Sequence, residues 1–349
     1  MRLALGPAVL FILGVAFDWP MAFVGAVFAA LFLQAPAPPS LAGGTKLVLT
    51  ALGLLMLAAA VFSLLQPYPV HYLIGVCLAV LWAFGLSVRG RSPLLVVLAL
   101  LAALLVPLLA RGSVELAVGV VFWLSANMVF ALLTTWAAFV LLPVPEQAHV
   151  QQEAPQGGEP EFDPERRLVR MALVTVPFAL AFFLVDGGAP LTLLFVAILA
   201  QQLAASTEDG PAVAGAMLAA NLIGGLAAVT AHELVVAATF FPFLALVVLA
   251  VCLGFGWWHA SERPDSALAG SAMTTFLILF GGAIAPLSDS AEVAMLSRLG
   301  QIGLALAWVL TAFVVLDALL PERAPRLPDW RKTQPRGHAH GAKAPGPHA

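Results

Sequence analysis

Two carboxylates stand beside helix-breaking residues at matching places in this chain: Asp18 in Asp18-Trp19-Pro20, and Asp186 in Asp186-Gly187-Gly188-Ala189-Pro190. A carboxyl group held at membrane depth is costly to ionise. Its pKa rises, and it then exchanges a proton as water or a cationic partner comes and goes. A pair of such groups near a shared axis would serve as a proton relay or a substrate gate. The competing reading is that each Asp caps the N-terminus of the short helix after it, at the wet edge of the membrane. The residues alone leave both readings open.

Further polar groups fall inside apolar runs: Ser125, Asn127, Thr134 and Thr135 in one, Asn221 in another, then Thr274 and Thr275, and Asp317 near the end of the last. Ser and Thr in such helices mostly bond their own backbone or a neighbouring helix. Asn127 and Asn221 are harder to hide and are candidates for lining a pathway. Trp82, Trp123 and Trp308 lie deep enough to stack on an aromatic solute, with helix packing as the other use. Trp19, Trp136, Trp257 and Trp258 fall near run ends and read as interfacial anchors.

Catalytic constellations are not visible, since no nucleophile, base and metal ligand pair up. His232-Glu233 opens like a zinc-protease helix, but Val236 stands where the second histidine belongs. No phosphate-binding loop occurs. Cys77 and Cys252 lie within apolar runs and read as small hydrophobes. His338 and His340 lack a third ligand nearby for a metal. The expectation is a protein that is not an enzyme and carries no cofactor or metal, with any transport driven by an ion or solute gradient.

The elements that must position these groups follow from composition. Of 349 residues, 61% are hydrophobic and only 10% charged, against roughly 25% charged in a soluble domain. A soluble globule is excluded. The net charge of −3 offers no basic face for nucleic acid. Apolar runs near the ~20 residues of a spanning helix predict an all-α integral membrane protein of about twelve transmembrane helices. These lie near 3–17, 21–33, 47–65, 70–88, 93–110 and 116–142, then 168–185, 190–203, 211–230, 235–257, 267–285 and 296–320. Residues 1–17 have the look of a signal peptide, a reading set aside because the same segment recurs in mid-chain.

With the N-terminus in the cytoplasm, fourteen Lys and Arg fall inside and only Arg111 and Arg298 outside. That split predicts both termini cytoplasmic. Sliding the first half by 168 residues places Arg2, Ala4, Leu5, Asp18, Ala29, Leu31 and Gln34 on Arg170, Ala172, Leu173, Asp186, Ala197, Leu199 and Gln202. Later matches keep the same order: Val76-Cys77-Leu78 with Val251-Cys252-Leu253, and Pro107-Leu108 with Pro286-Leu287. Six spans per copy is even, so the repeats are expected to run parallel, related by an axis along the membrane normal. The domains are thus a first six-helix repeat at 1–142 and a second at 168–320. An acidic flexible linker at 143–167 joins them, and a disordered tail occupies 321–349. The first two spans of each half are short: 3–17 reaches about 22 Å against a hydrocarbon core of ~30 Å, so the Asp-bearing turn is expected within the bilayer depth.

Arg2-Leu3-Ala4-Leu5, the Asp18-Trp19-Pro20 break and the span from Phe23 to Gln34 resemble the first hairpin of the fusaric-acid-resistance and aromatic-acid-exporter family. The duplicated six-span plan is similar too, over most of residues 1–320. The resemblance implies efflux of small organic or aromatic acids and drugs from the bacterial cytoplasm across the inner membrane. It also implies a periplasmic membrane-fusion partner of the HlyD type. Related plant malate channels pair one six-span unit per subunit, which implies a fused pseudo-dimer here, and a homo-oligomer is a further expectation. The chain departs from many members in lacking a folded cytoplasmic domain after each six-span unit.

Overall fold

Packing in this chain is built from helices that are apolar around most of their circumference, as expected where lipid rather than water surrounds a bundle. The computed structural model describes residues 1–35, 37–142, 164–185, 196–198, 200–201, 210–263, 265–284, 304–305, 307–309 and 311–316. Among them lie α1 (Arg2–Ala16), α2 (Ala22–Leu33), α3 (Leu41–Leu65), α4 (Pro69–Val88), α5 (Pro93–Gly112) and α6 (Val114–Leu141). Then come α7 (Pro164–Val185), α8 (Gly210–Ala237), α9 (Phe241–His259) and α10 (Leu268–Ile284). Short helical pieces occur at 196–198, 200–201, 304–305, 307–309 and 311–316, and no strand occurs among the described residues.

Seven of these helices, α3 to α9, are long and apolar enough to cross a bilayer. The chain is an all-helical, multi-pass membrane protein. Large apolar side chains such as Leu57, Leu64, Leu78, Phe122, Leu133 and Leu246 point outward, where hydrocarbon would receive them without cost. The helices α1, α2 and α10 are apolar but shorter.

The two halves of the chain pack across each other. The first helix α1 lies against α2, α6 and α9, and α2 lies against α6 and α10, while α4 packs on α7. One apolar cluster joins Leu3, Phe11 and Ala26 to Val248, Phe276 and Phe280. A second joins Tyr72, Val80 and Leu104 to Phe183, Val196 and Phe313. Small residues permit the closest crossings: a Cβ on Gly256 of α9 would come within 2.5 Å of the Ala4 Cβ on α1.

The ends of the bundle follow from these contacts. Arg2 sits over the Phe139 ring at 3.9 Å, beside the C-terminus of α6. Gln34, just after α2, meets Gly270 at the start of α10. Arg111 lies at the other end of α6, one turn before that helix begins, and its Nη1 donates to the Phe183 carbonyl at 2.5 Å.

Several boundaries differ from the sequence expectation. Helix α3 begins at Leu41 rather than 47, because Ser40 accepts from the Gly43 N–H at 3.0 Å and caps it. Helix α7 begins at Pro164, inside the segment read as linker, with proline in the first turn, where its missing N–H costs nothing. The polar pair His232-Glu233 was expected between spans, yet α8 runs through it to Ala237 and α9 starts only at Phe241. Polar side chains do not interrupt a helix, whereas Pro242 in the first turn of α9 marks its start. In α5, Leu101–Leu105 form a π turn directly before Pro107. The extra residue in that turn absorbs the clash a helix-interior proline makes with the preceding turn.

Candidate functional site

The turn between α1 and α2 is the best-defined polar feature in the apolar bundle. Helix α1 ends with the Trp19 N–H bonded to the Gly14 carbonyl at 2.8 Å and the Asp18 N–H to the Val15 carbonyl at 3.2 Å. This is a Schellman closure, and Asp18 occupies its left-handed position at φ +52°. Glycine is usual there. Asp is among the few other residues that tolerate it. Met21, at φ +58°, is the N-cap of α2 and makes no side-chain cap bond. Asp18 therefore does not cap the following helix, and that reading is corrected: it closes the preceding one. Its side chain is exposed and makes no hydrogen bond or ion pair among the described residues.

The turn lies beside the middle of α6. Asn127 Nδ2 donates to the Pro20 carbonyl at 3.2 Å and to the Trp123 carbonyl at 2.8 Å. Asn127 is only 1% exposed and lies thirteen residues into α6, about 20 Å from either end. Where no water reaches, a broken backbone must find partners from the protein, and Asn127 supplies one. Gly25 on α2 lets the two come together, since a Cβ there would lie 2.7 Å from Asn127 Oδ1.

Trp19 packs inward, contrary to its expected role as an interfacial anchor. Its ring stacks on Phe130 of α6 with centroids 4.5 Å apart, and on Phe17 at 5.8 Å. The two rings extend the hairpin's grip on α6 and hold the Asp18 backbone where Asn127 can reach the next carbonyl but one. Trp123 is half-buried and meets Phe122 edge-on.

The remaining sequence candidates lie elsewhere. Asn221 of α8 accepts at Oδ1 from Thr275 Oγ1 of α10 at 2.8 Å. That bond crosses a close contact between the two helices, where a Cβ on Gly224 would come within 2.3 Å of the Ala272 carbonyl oxygen. Trp82 is half exposed on α4 and lines an apolar groove with Leu57, Val61 and Ala103. Trp308 donates from Nε1 to the Val174 carbonyl at 3.1 Å and tilts against Phe178, so it joins the C-terminal helical pieces to α7. Ser125, Thr134, Thr135 and Thr274 each bond a carbonyl four residues back in their own helix. Asp186, Asp317, His338 and His340 lie outside the described residues.

Thus Asn127 is tied to the turn that follows Asp18 through the Pro20 carbonyl, the Asp18 and Trp123 side chains are not brought onto it, and Asn221, Trp82 and Trp308 serve other contacts. Neither of two cavities lined by described residues, one the groove at Trp82 and the other at the junction of α8 and α9, includes Asp18, Asn127 or Asn221. Sequence reasoning missed Gly25, Phe130 and the Tyr72 hydroxyl, which donates to the Pro107 carbonyl. The local signals available were the Pro20 carbonyl, freed by the break, and the proline in α5.

Residues 1–138 match the model of a family described as a protein of unknown function (DUF2955). The matched segment covers α1 to α5 and nearly all of α6. No curated protein and no solved structure matches the chain.

Proposed function

We propose that the chain is an inner-membrane exporter of small organic or aromatic acids or drugs. In this reading it has twelve spans in two parallel six-helix repeats with both termini cytoplasmic, and the pathway runs between the repeats. The observation that carries the reading is the half-depth hairpin: its Asp18-bearing turn stops beside the centre of α6, held there by Asn127. A short, interrupted hairpin is the sequence pointer to a midplane transport site, and an acid at its tip would supply a proton relay. The repeat is supported by reciprocal contacts. The first helix of each proposed copy meets the fourth helix of the other, α1 with α9 and α7 with α4. Each of these first helices also carries an arginine over a phenylalanine of its own copy's last helix, Arg2 on Phe139 and Arg170 on Phe313. The family match ending near the close of α6 fits a unit of that length.

Proton coupling would run through Asp18 and Asp186, with a periplasmic fusion protein of the HlyD type as partner. The test is efflux of fusaric acid and of 4-hydroxybenzoate from cells expressing the chain, with and without an uncoupler. Asp18→Asn with Asp186→Asn is expected to abolish efflux while the protein still inserts. Unchanged efflux from that double variant overturns the coupling.

A second reading has its own observation. Asp18 fills a left-handed position that asparagine would fill equally well, so its carboxyl has a backbone reason to be there without exchanging a proton. The bundle would then be a passive organic-anion channel or a non-transporting assembly subunit. Channel flux persists when the proton gradient is collapsed, and an assembly subunit shows no flux.

A further inference from the structure

Helix α7 is tied to one half of the chain before its interior proline and to the other half after it. Before Pro177, the Val174 carbonyl accepts from Trp308 Nε1 at 3.1 Å, and the Arg170 guanidinium lies 5.9 Å from the centre of the Phe313 ring. Both partners belong to the second half. After Pro177, the Phe183 ring meets Tyr72 of α4 edge-on at 6.3 Å, and the Phe183 carbonyl accepts from Arg111 Nη1 of α5 at 2.5 Å. Pro177 brings no N–H to the helix ladder and its ring presses on the preceding turn, so α7 bends there more easily than elsewhere along its length.

Arg111 reaches that carbonyl because of the π turn in α5. One residue more than an α-helical turn rotates everything after Leu105 by about 100°. The Tyr72 hydroxyl fixes the rotated segment by donating to the Pro107 carbonyl. Phe183 lies in the last turn of α7, where carbonyls run out of donors within the helix and a cation suits the negative helix end. We propose that the last two turns of α7, residues 178–185, form a lever hinged at Pro177, and that Arg111 is the latch holding its tip against the first half. Release of the latch swings the tip away from α4 and α5 and opens the seam between the halves at that end. This motion does not depend on the export reading.

The test measures distances between paired spin labels by pulsed electron resonance on the full chain in lipid nanodiscs. Cys77→Ser and Cys252→Ala leave only introduced cysteines to carry the labels. One pair is Tyr68→Cys with Leu184→Cys, at exposed residues flanking the latch. The control pair is Arg89→Cys with Val169→Cys, at exposed residues near the opposite ends of α4 and α7. Arg111→Ala is expected to lengthen the first distance by roughly 5 Å or more, the swing of a lever of about 12 Å through about 30°, and to leave the control distance as it is. Arg111→Lys keeps a cation and is expected to restore the short distance in part. Adding Pro177→Ala to Arg111→Ala restores the helix ladder and is expected to shorten the distance again. An unchanged first distance in Arg111→Ala overturns the latch. Lengthening of both pairs overturns the hinge, and so does a doubly substituted protein as open as Arg111→Ala alone. Hydrogen exchange on the unsubstituted chain tests the lever without any variant: amides of 178–185 are expected to exchange about tenfold or more faster than those of 168–176, and equal protection overturns it.

Discussion

Asn127 and Pro20, 107 residues apart in sequence, are joined by a side-chain to backbone hydrogen bond of 3.2 Å. Among the described residues it is the one polar tie that fastens the broken tip of the first hairpin to α6, the longest helix of the first half. Replacing Asn127 with leucine keeps the volume and leaves the Pro20 carbonyl without this partner. The purified protein is expected to lose about 1–2 kcal/mol, read as a lower melting temperature in detergent. An unchanged melting temperature would show that the carbonyl finds another partner.

Gly25 is the other half of that arrangement. Gly25→Ala is expected to cost about 1–3 kcal/mol by overpacking, since the added methyl meets Asn127 Oδ1. Combined with Asn127→Ala, which removes the obstacle, the two costs should fall short of their sum by at least about 0.5 kcal/mol. Strict additivity in a double-mutant cycle would place the Gly25 penalty elsewhere.

Asp18 separates backbone need from side-chain chemistry. Asp18→Gly suits the left-handed position and is expected to leave stability unchanged or higher by up to about 1 kcal/mol. Asp18→Val, a β-branched residue at φ +52°, is expected to cost about 1–2 kcal/mol. Loss of efflux in the well-folded Asp18→Gly variant assigns the function to the carboxyl group. Full efflux leaves Asp18 with a conformational role alone.

The contact between α8 and α10 rests on both a polar and a steric fit. Thr275→Val removes the donor to Asn221 and is expected to cost about 0.6–1.7 kcal/mol, between the average and the largest value measured for such bonds between membrane helices. Gly224→Leu drives a side chain into the Ala272 carbonyl and is expected to prevent folded protein from accumulating at all. Equal behaviour of the two variants in detergent-stable yield would contradict this ordering.

Much of the layout was legible from the residues because the signals were local. Apolar run length located α4, α6 and α7 to within a few residues, and the Asp18-Trp19-Pro20 break located the hairpin turn. Positions where a polar pair was taken as a break, as at His232-Glu233, went astray because helix propensity ignores polarity. The candidate site was half legible. The break announced an unpaired carbonyl, and Asn127 was singled out for being hard to hide. That the one answers the other is a tertiary fact with no local signature. Trp19 was misplaced for the same reason, because an aromatic at a turn looks alike whether the turn faces headgroups or a neighbouring ring such as Phe130.

Cross-packing of α1 on α9 sets an order of assembly. Helix α1 ends against one made on the order of two hundred residues later, a delay of roughly ten to fifty seconds at ordinary synthesis rates. During that interval the face of α1 that carries Ala4 has no native neighbour on that side, and the insertion machinery or lipid must hold it. Helices α1 and α9 are therefore bound to mature together, and truncation before Gly256 leaves the α1–α2 hairpin without the surface it was shaped to meet.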